Sequence, residues 1–143
     1  MEKQFVSYEI ASKLKELGFN EPCFGIFDVN NSVYCYAKCE YFESQEKAQY
    51  MFGNDKIKVT LAPIYQQIVD WFRTKHNLFI ELVIDQTAEP KFTYIITRYL
   101  GDFNWEEPIM PEFLYRTYEE SREEAILKAL NYVRQNKLRG DIR

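Results

Sequence analysis

Residues 7–17 place Ile10, Leu14 and Leu17 at i, i+4 and i+7, with Ala11 beside them and Glu9, Lys13 and Glu16 directed elsewhere. That rhythm predicts an amphipathic helix. Ser7 stands where a side-chain oxygen can accept an orphan N–H of the first turn. Gly18 suits the left-handed position after the last turn, and Phe19 is its hydrophobic partner. The period then shortens to two. Residues 23–28 and 33–39 predict a strand pair around Asn30-Asn31, a dipeptide tolerant of positive φ. A two-residue loop there sets Ile26 opposite Cys35, Phe24 opposite Ala37 and Phe27 opposite Tyr34. One face then carries Phe24, Ile26, Val33, Cys35 and Ala37, and the other Phe27, Tyr34, Tyr36 and Lys38.

Patterning weakens over residues 40–55. Residues 44–48 can open a short helix, Gly53-Asn54-Asp55 signals a turn, and residues 57–59 alternate as a short strand. Helical spacing returns over residues 60–76, where Leu61, Ile64, Ile68, Trp71 and Phe72 form one stripe. Thr60 serves as cap, and Pro63 falls in the first turn, where its missing N–H has no helical partner. Residues 78–84 and 91–100 predict a second strand pair. Symmetric closure sets Ile80 opposite Ile95 and Glu81 opposite Tyr94. Leu78, Ile80, Leu82, Ile84 and Ile95 then share one face; Phe79, Val83, Phe92, Tyr94 and Ile96 share the other with Glu81 and Arg98.

Residues 101–112, with one Gly and two Pro, read as loop, and residues 113–115 as a short edge strand. Thr117 and Glu120 have the spacing of a capping box. The helix they open carries Ala125, Ile126, Ala129, Leu130 and Val133 on one stripe and runs to about Gln135, before a basic tail. The order α-β-β-α-β-β-α predicts an α+β fold, a largely antiparallel sheet of four to six strands with three helices against it. A single domain over residues 1–143 is expected, its tail from about residue 137 loosely held.

Composition narrows the class. Of 143 residues, 46% are hydrophobic and 17% aromatic, which excludes an intrinsically disordered chain. No apolar run approaches the ~20 residues of a membrane span, and the N-terminus lacks the basic and apolar regions of a signal peptide. With three cysteines, an odd number, reduced thiols and a cytoplasmic setting are expected. The net charge of −4, without a basic block, disfavours general affinity for nucleic acid.

The candidate chemistry is sparse. Cys23, Cys35 and Cys39 lack a knuckle spacing and the chain has one histidine, so structural thiols are expected and no metal. That histidine, His76, ends a helix, where a cation meets the dipole favourably. Asp70 lies six residues away on another side, and no nucleophile motif accompanies it. Glu119-Glu120 suits a helix N-terminus and Glu123-Glu124 a solvated face. Glu106-Glu107, beside Trp105, would need a partner carboxylate at fixed distance to act on a glycoside. Five glycines build no phosphate loop, and no cofactor is expected. In Asp70-Trp71-Phe72-Arg73 the two rings continue the apolar stripe, and Arg73 can pair with Asp70 at i+3.

Both strand pairs carry apolar residues on both faces. Helices on one face alone would leave the other as an aromatic surface of the kind that marks an interface. Helices on both faces, or one hairpin stacked on the other, would cover it instead. The interface candidates are Tyr34, Tyr36, Phe79, Tyr94 and Trp105.

Three stretches carry a resemblance. Residues 5–11 with Leu17-Gly18-Phe19, Leu61-Ala62-Pro63 with residues 70–76, and residues 118–125 resemble small proteins, without an established activity, encoded in prophage-like and mobile regions of anaerobic gut bacteria. The likeness touches most of the chain apart from residues 40–55. It implies a phage-type accessory gene in a cytoplasmic setting and brings no catalytic role to any residue. The expected function is a non-enzymatic module that binds a protein partner or a second copy of itself. One alternative is single-stranded nucleic-acid binding on sheet aromatics, for which Lys38, Lys91 and Arg98 are the strand cations. The other is a small hydrolase using Glu106, Glu107 and His76, which would have to converge on one cleft.

Overall fold

The computed structural model describes residues 4–28, 30–35, 41–86, 89 and 91–138. The fold is mixed α+β, and the chain divides into two compact units, Met1–Gln67 and Ile68–Arg143. In chain order the elements are α1 (Tyr8–Glu16), β1 (Gly25–Phe27), β2 (Val33–Cys35), α2 (Gln45–Phe52), β3 (Thr60–Ala62), α3 (Tyr65–His76), β4 (Leu78–Asp85), β5 (Lys91–Gly101), β6 (Asn104–Trp105) and α4 (Tyr118–Leu138). Among the described residues there are thus four helices where three were expected. Two three-stranded antiparallel sheets, β2-β1-β3 and β4-β5-β6, stand in place of a single sheet.

In the first unit α1 starts and stops as its sequence dictates. Ser7 Oγ accepts the Ile10 N–H at 3.3 Å. At the other end Phe19 N–H donates to Leu14 O at 2.9 Å and Gly18 N–H to Lys15 O at 3.1 Å, with Gly18 at φ +88°. Those two bonds make a Schellman stop. Ile10, Ala11 and Leu14 enter a core with Phe19, Ile26, Phe27 and Leu61.

The helix expected from Thr60 begins five residues later. Proline disfavours the helical region for the residue before it, so Ala62 is held extended by Pro63. Residues 60–62 therefore become β3 and pair with β1, Gly25 opposite Ala62 and Phe27 opposite Thr60. This pairing gives the sheet of the first unit its third strand. The short helix signalled at Ser44 is α2, capped by the Lys47 N–H on Ser44 Oγ at 3.1 Å. Its Gln45 and Gln49 seal the outer edge of β3. Gln45 takes the Leu61 N–H and donates to Val59 O, while Gln49 takes the Val59 N–H and donates to Ile57 O.

The first hairpin pairs one residue out of the expected register, with Ile26 opposite Tyr34 and Gly25 opposite Cys35. Asp28 N–H donates to Ser32 O at 3.0 Å, so Asp28 stands opposite Ser32 and not opposite Val33 as the expected closure required. Asp28 Oδ1 accepts the N–H groups of Asn30 and Ser32, and Asn31 takes φ +59°. The acid's own carboxylate thus supplies the turn.

In the second unit the strand pair also slips by one. Ile80 stands opposite Ile96 and Glu81 opposite Ile95, because the closing pair is Asp85 with Lys91, opposite charges facing each other. The slip carries Phe92, Tyr94 and Ile96 to the face of Leu78 and Ile80. Helix α4 packs on that face: Phe92 meets the Tyr118 ring, and Arg98 reaches the Tyr132 hydroxyl. Thr117 Oγ1 caps α4 through the Glu120 N–H at 3.1 Å. Ile126, Leu130 and Val133 are buried, each stabilising by about 1.5–3 kcal/mol.

Residues 101–115, expected to be a loop and a short strand, hold the third strand in broken form. Tyr99 pairs with Trp105, and bridges at Ile96–Ile109 and Phe92–Tyr115 continue along the same edge of β5. Pro108 and Pro111, which lack the N–H a ladder needs, interrupt it. Helix α4 reaches Leu138, and the tail beyond lies outside the described residues. No helix among the described residues is long and apolar enough to cross a membrane.

Candidate functional site

The turn between β5 and β6 is built by Asp102 and Phe103, with φ +51° and +63°. Two consecutive residues at positive φ belong to the tight hairpin turn that asparagine and glycine dominate. Phenylalanine there sets its Cβ against the following carbonyl, at roughly 1–2 kcal/mol. Packing does not offset this, since Phe103 is 94% exposed. Its N–H donates to the Tyr99 hydroxyl at 3.3 Å, which holds the tip in shape.

Behind the tip, Trp105 is 51% exposed and leans on two rings of the face opposite α4. Its centroid lies 4.8 Å from Tyr99 and 5.3 Å from Phe79, both with tilted or edge-on geometry. The next residue points the other way. Glu106 meets Arg98 Nη1 at 3.4 Å and accepts from the Tyr132 hydroxyl, while its N–H donates to Arg98 O at 3.0 Å. Those bonds tie the base of the hairpin to α4. The result is an aromatic hairpin with Asp102 and Glu107 exposed at its margins.

The other candidates fall elsewhere. Phe79 is half-buried under Trp105, so these two are brought together. Tyr94 is 5% exposed on the α4 face, stacked on Tyr115 with centroids 6.2 Å apart. Burial, then the neighbouring Tyr115 and Glu124, push its phenol up to about 12. It presents no surface. Tyr34, in the first unit, is exposed beside Phe52 at 5.7 Å, and Tyr36 lies outside the described residues. Phe103 and Tyr99 were not singled out by pattern; the signal for them was Gly101-Asp102 between two apolar stretches.

His76 ends α3 with its ring 4.6 Å from Trp71. Both ring nitrogens are buried without a hydrogen-bond partner, and burial, then Lys137, hold its pKa below the ordinary imidazole value. Among the described residues no carboxylate orients the ring, the arrangement a general-base histidine relies on. Glu106 is engaged by Arg98 and Tyr132, a separate set of partners, and Glu107 is exposed. Cys23 is buried, its thiol on Glu21 O at 3.3 Å, and desolvation pushes it up to about 12; Cys35 is exposed, and Cys39 lies outside the described residues. Among the described residues no group of three or more His, Cys, Asp or Glu side chains could hold a metal ion. Compared with known proteins, the chain matches no family model, no curated protein and no solved structure.

Proposed function

We propose that the chain is a non-catalytic protein-binding module, of the accessory kind its resemblance to prophage-encoded proteins implies, and that the β5–β6 hairpin is its contact element. Phe103 carries this reading. A fully exposed phenylalanine in a left-handed turn costs the fold stability and returns no packing. Strain of that kind is retained at sites of function. Phe103 is the anchor and Trp105 the flank, a pairing of large rings suited to a desolvated pocket. The partner's surface is an apolar groove with a basic rim, to receive Asp102 and Glu107.

The charge on the face opposite α4 favours a protein over a nucleic acid. Among the described residues of the sheet that face offers one cation, Lys91, against Glu81 and Asp85. A phosphate chain needs the reverse balance.

The test is Phe103→Gly. Removing the Cβ relieves the turn and raises folding stability by about 1 kcal/mol, while partner capture by affinity purification or photo-cross-linking at position 103 is lost. Trp105→Ala loses it too. A partner retained equally by both folded variants overturns the reading.

A further inference from the structure

We infer that β4 pairs antiparallel with β4 of a second copy of this chain, the two strands crossing a two-fold axis at Leu82. This interface is separate from the hairpin tip and does not rest on it. Strand edges carry unpaired N–H and C=O groups, and proteins seal them with side chains, prolines, charges or bulges. Two edges here are sealed in that way. Gln45 and Gln49 occupy the outer edge of β3, and Pro108, Pro111 and the β5–β6 register shift break up the far edge of the second sheet.

The near edge has none of these. β4 runs eight residues, Leu-Phe-Ile-Glu-Leu-Val-Ile-Asp, without proline, lysine or register shift, and no strand among the described residues pairs with its other side. The ladder fixes which of its groups point outward. Tyr99 N–H donates to Asn77 O, so by antiparallel alternation residues 79, 81, 83 and 85 face β5. Leu78, Ile80, Leu82 and Ile84 direct their backbone groups to the open side.

The occupant is specified by register. About Leu82, the segment Ile80-Glu81-Leu82-Val83-Ile84 reads nearly the same in both directions. Leu82 meets its own copy, Ile80 meets Ile84, and Glu81 meets Val83. The in-phase alternative centred on residue 81 sets Glu81 against Glu81, which like-charge repulsion disfavours. Leu82 pairing also gives Ile84, 52% exposed in the single chain, an apolar neighbour on the α4 face. The two sheets become one of six strands, with both α4 helices on the same side.

Light scattering on the full chain across a concentration series tests this. The expected mass approaches twice 17.2 kDa as concentration rises. Val83→Glu puts a second carboxylate opposite Glu81 twice per dimer and weakens association about tenfold, without touching the α4 face. Adding Glu81→Lys to it restores affinity to near the starting value. In the unmodified protein, hydrogen exchange at the Ile80, Leu82 and Ile84 amides slows as dimer forms. Phe103→Gly leaves the dimer intact. A chain that stays at 17.2 kDa at every concentration overturns the inference. So does a dimer in which those three amides exchange as fast as in the monomer, or one indifferent to the charge swap.

Discussion

Gln49 stands beside Val59 as one strand stands beside another: the Val59 N–H donates to Gln49 Oε1 at 2.9 Å, and Gln49 Nε2 donates to Ile57 O at 2.9 Å. Gln45, one helical turn earlier, repeats the contact on Val59 O and the Leu61 N–H. Buried backbone groups left without partners cost roughly 1–3 kcal/mol each. Gln49→Ala and Gln45→Ala are each expected to lower urea-unfolding stability by about that amount. Gln49→Glu should do no better than alanine, because it turns a donor toward Ile57 O into an acceptor. A loss well under half a kcal/mol in all three would show that water replaces the amides.

Gly25 is fixed by crowding, not by its dihedral angles. A Cβ there would meet Val33 Cγ1 at 2.9 Å, Phe5 Cε1 at 3.0 Å and the Tyr34 carbonyl at 3.3 Å. Gly25→Ala is expected to destabilise by about 1–3 kcal/mol through overpacking. Gly25→Ala combined with Val33→Ala should recover part of that loss in the same denaturation experiment.

His76 is expected to make stability fall in mild acid. Its pKa is lowered in the folded chain, by burial first and Lys137 second. The unfolded chain therefore binds the proton first, and stability drops as pH falls below about 6.5 toward the depressed folded value. His76→Phe, which keeps a ring beside Trp71 and leaves no unpaired nitrogen, should flatten thermal stability across that window. An unchanged slope in the variant assigns the acid sensitivity to other groups.

Cys23 and Cys35 should differ sharply toward a thiol reagent. Cys23 is buried with its pKa pushed up to about 12, whereas Cys35 is exposed. Since the thiolate is the reactive form, native protein at pH 8 should be modified at Cys35 within minutes and at Cys23 only after denaturation. Peptide mapping by mass spectrometry reads this directly; equal native labelling of the two would contradict the burial of Cys23.

Local signals were legible where the chain decides its own conformation. The Ser7 cap and the Gly18-Phe19 stop form the bonds their residue types promise, the short helix signalled over residues 44–48 forms, and Thr117 makes its half of the expected capping box by accepting the Glu120 N–H. The stripe from Leu61 to Phe72 suggests a helix from Thr60, but Pro63 disfavours helix at Ala62 and apolar spacing does not register this. Register was hidden for a different reason. It depends on a carboxylate folding back at Asp28 and on a closing pair of charges at Asp85 and Lys91, neither of which alternation encodes. That one-residue slip also decided the candidate site. It moved Tyr94 beneath α4 and left Phe79 to meet Trp105. Phe103 was legible only as a turn neighbour, since its exposure and its left-handed backbone are properties of the folded chain.

Pro108 and Pro111 have a consequence for how large any assembly can grow. A β-layer with two receptive margins can recruit copies without limit, which is how fibrils propagate. Here the margin that bears the prolines offers no continuous ladder, so a newcomer joining the opposite margin presents only its own blocked side outward. Association of that kind closes after a single addition, and the polymer that a greasy eight-residue strand would otherwise invite has nowhere to continue.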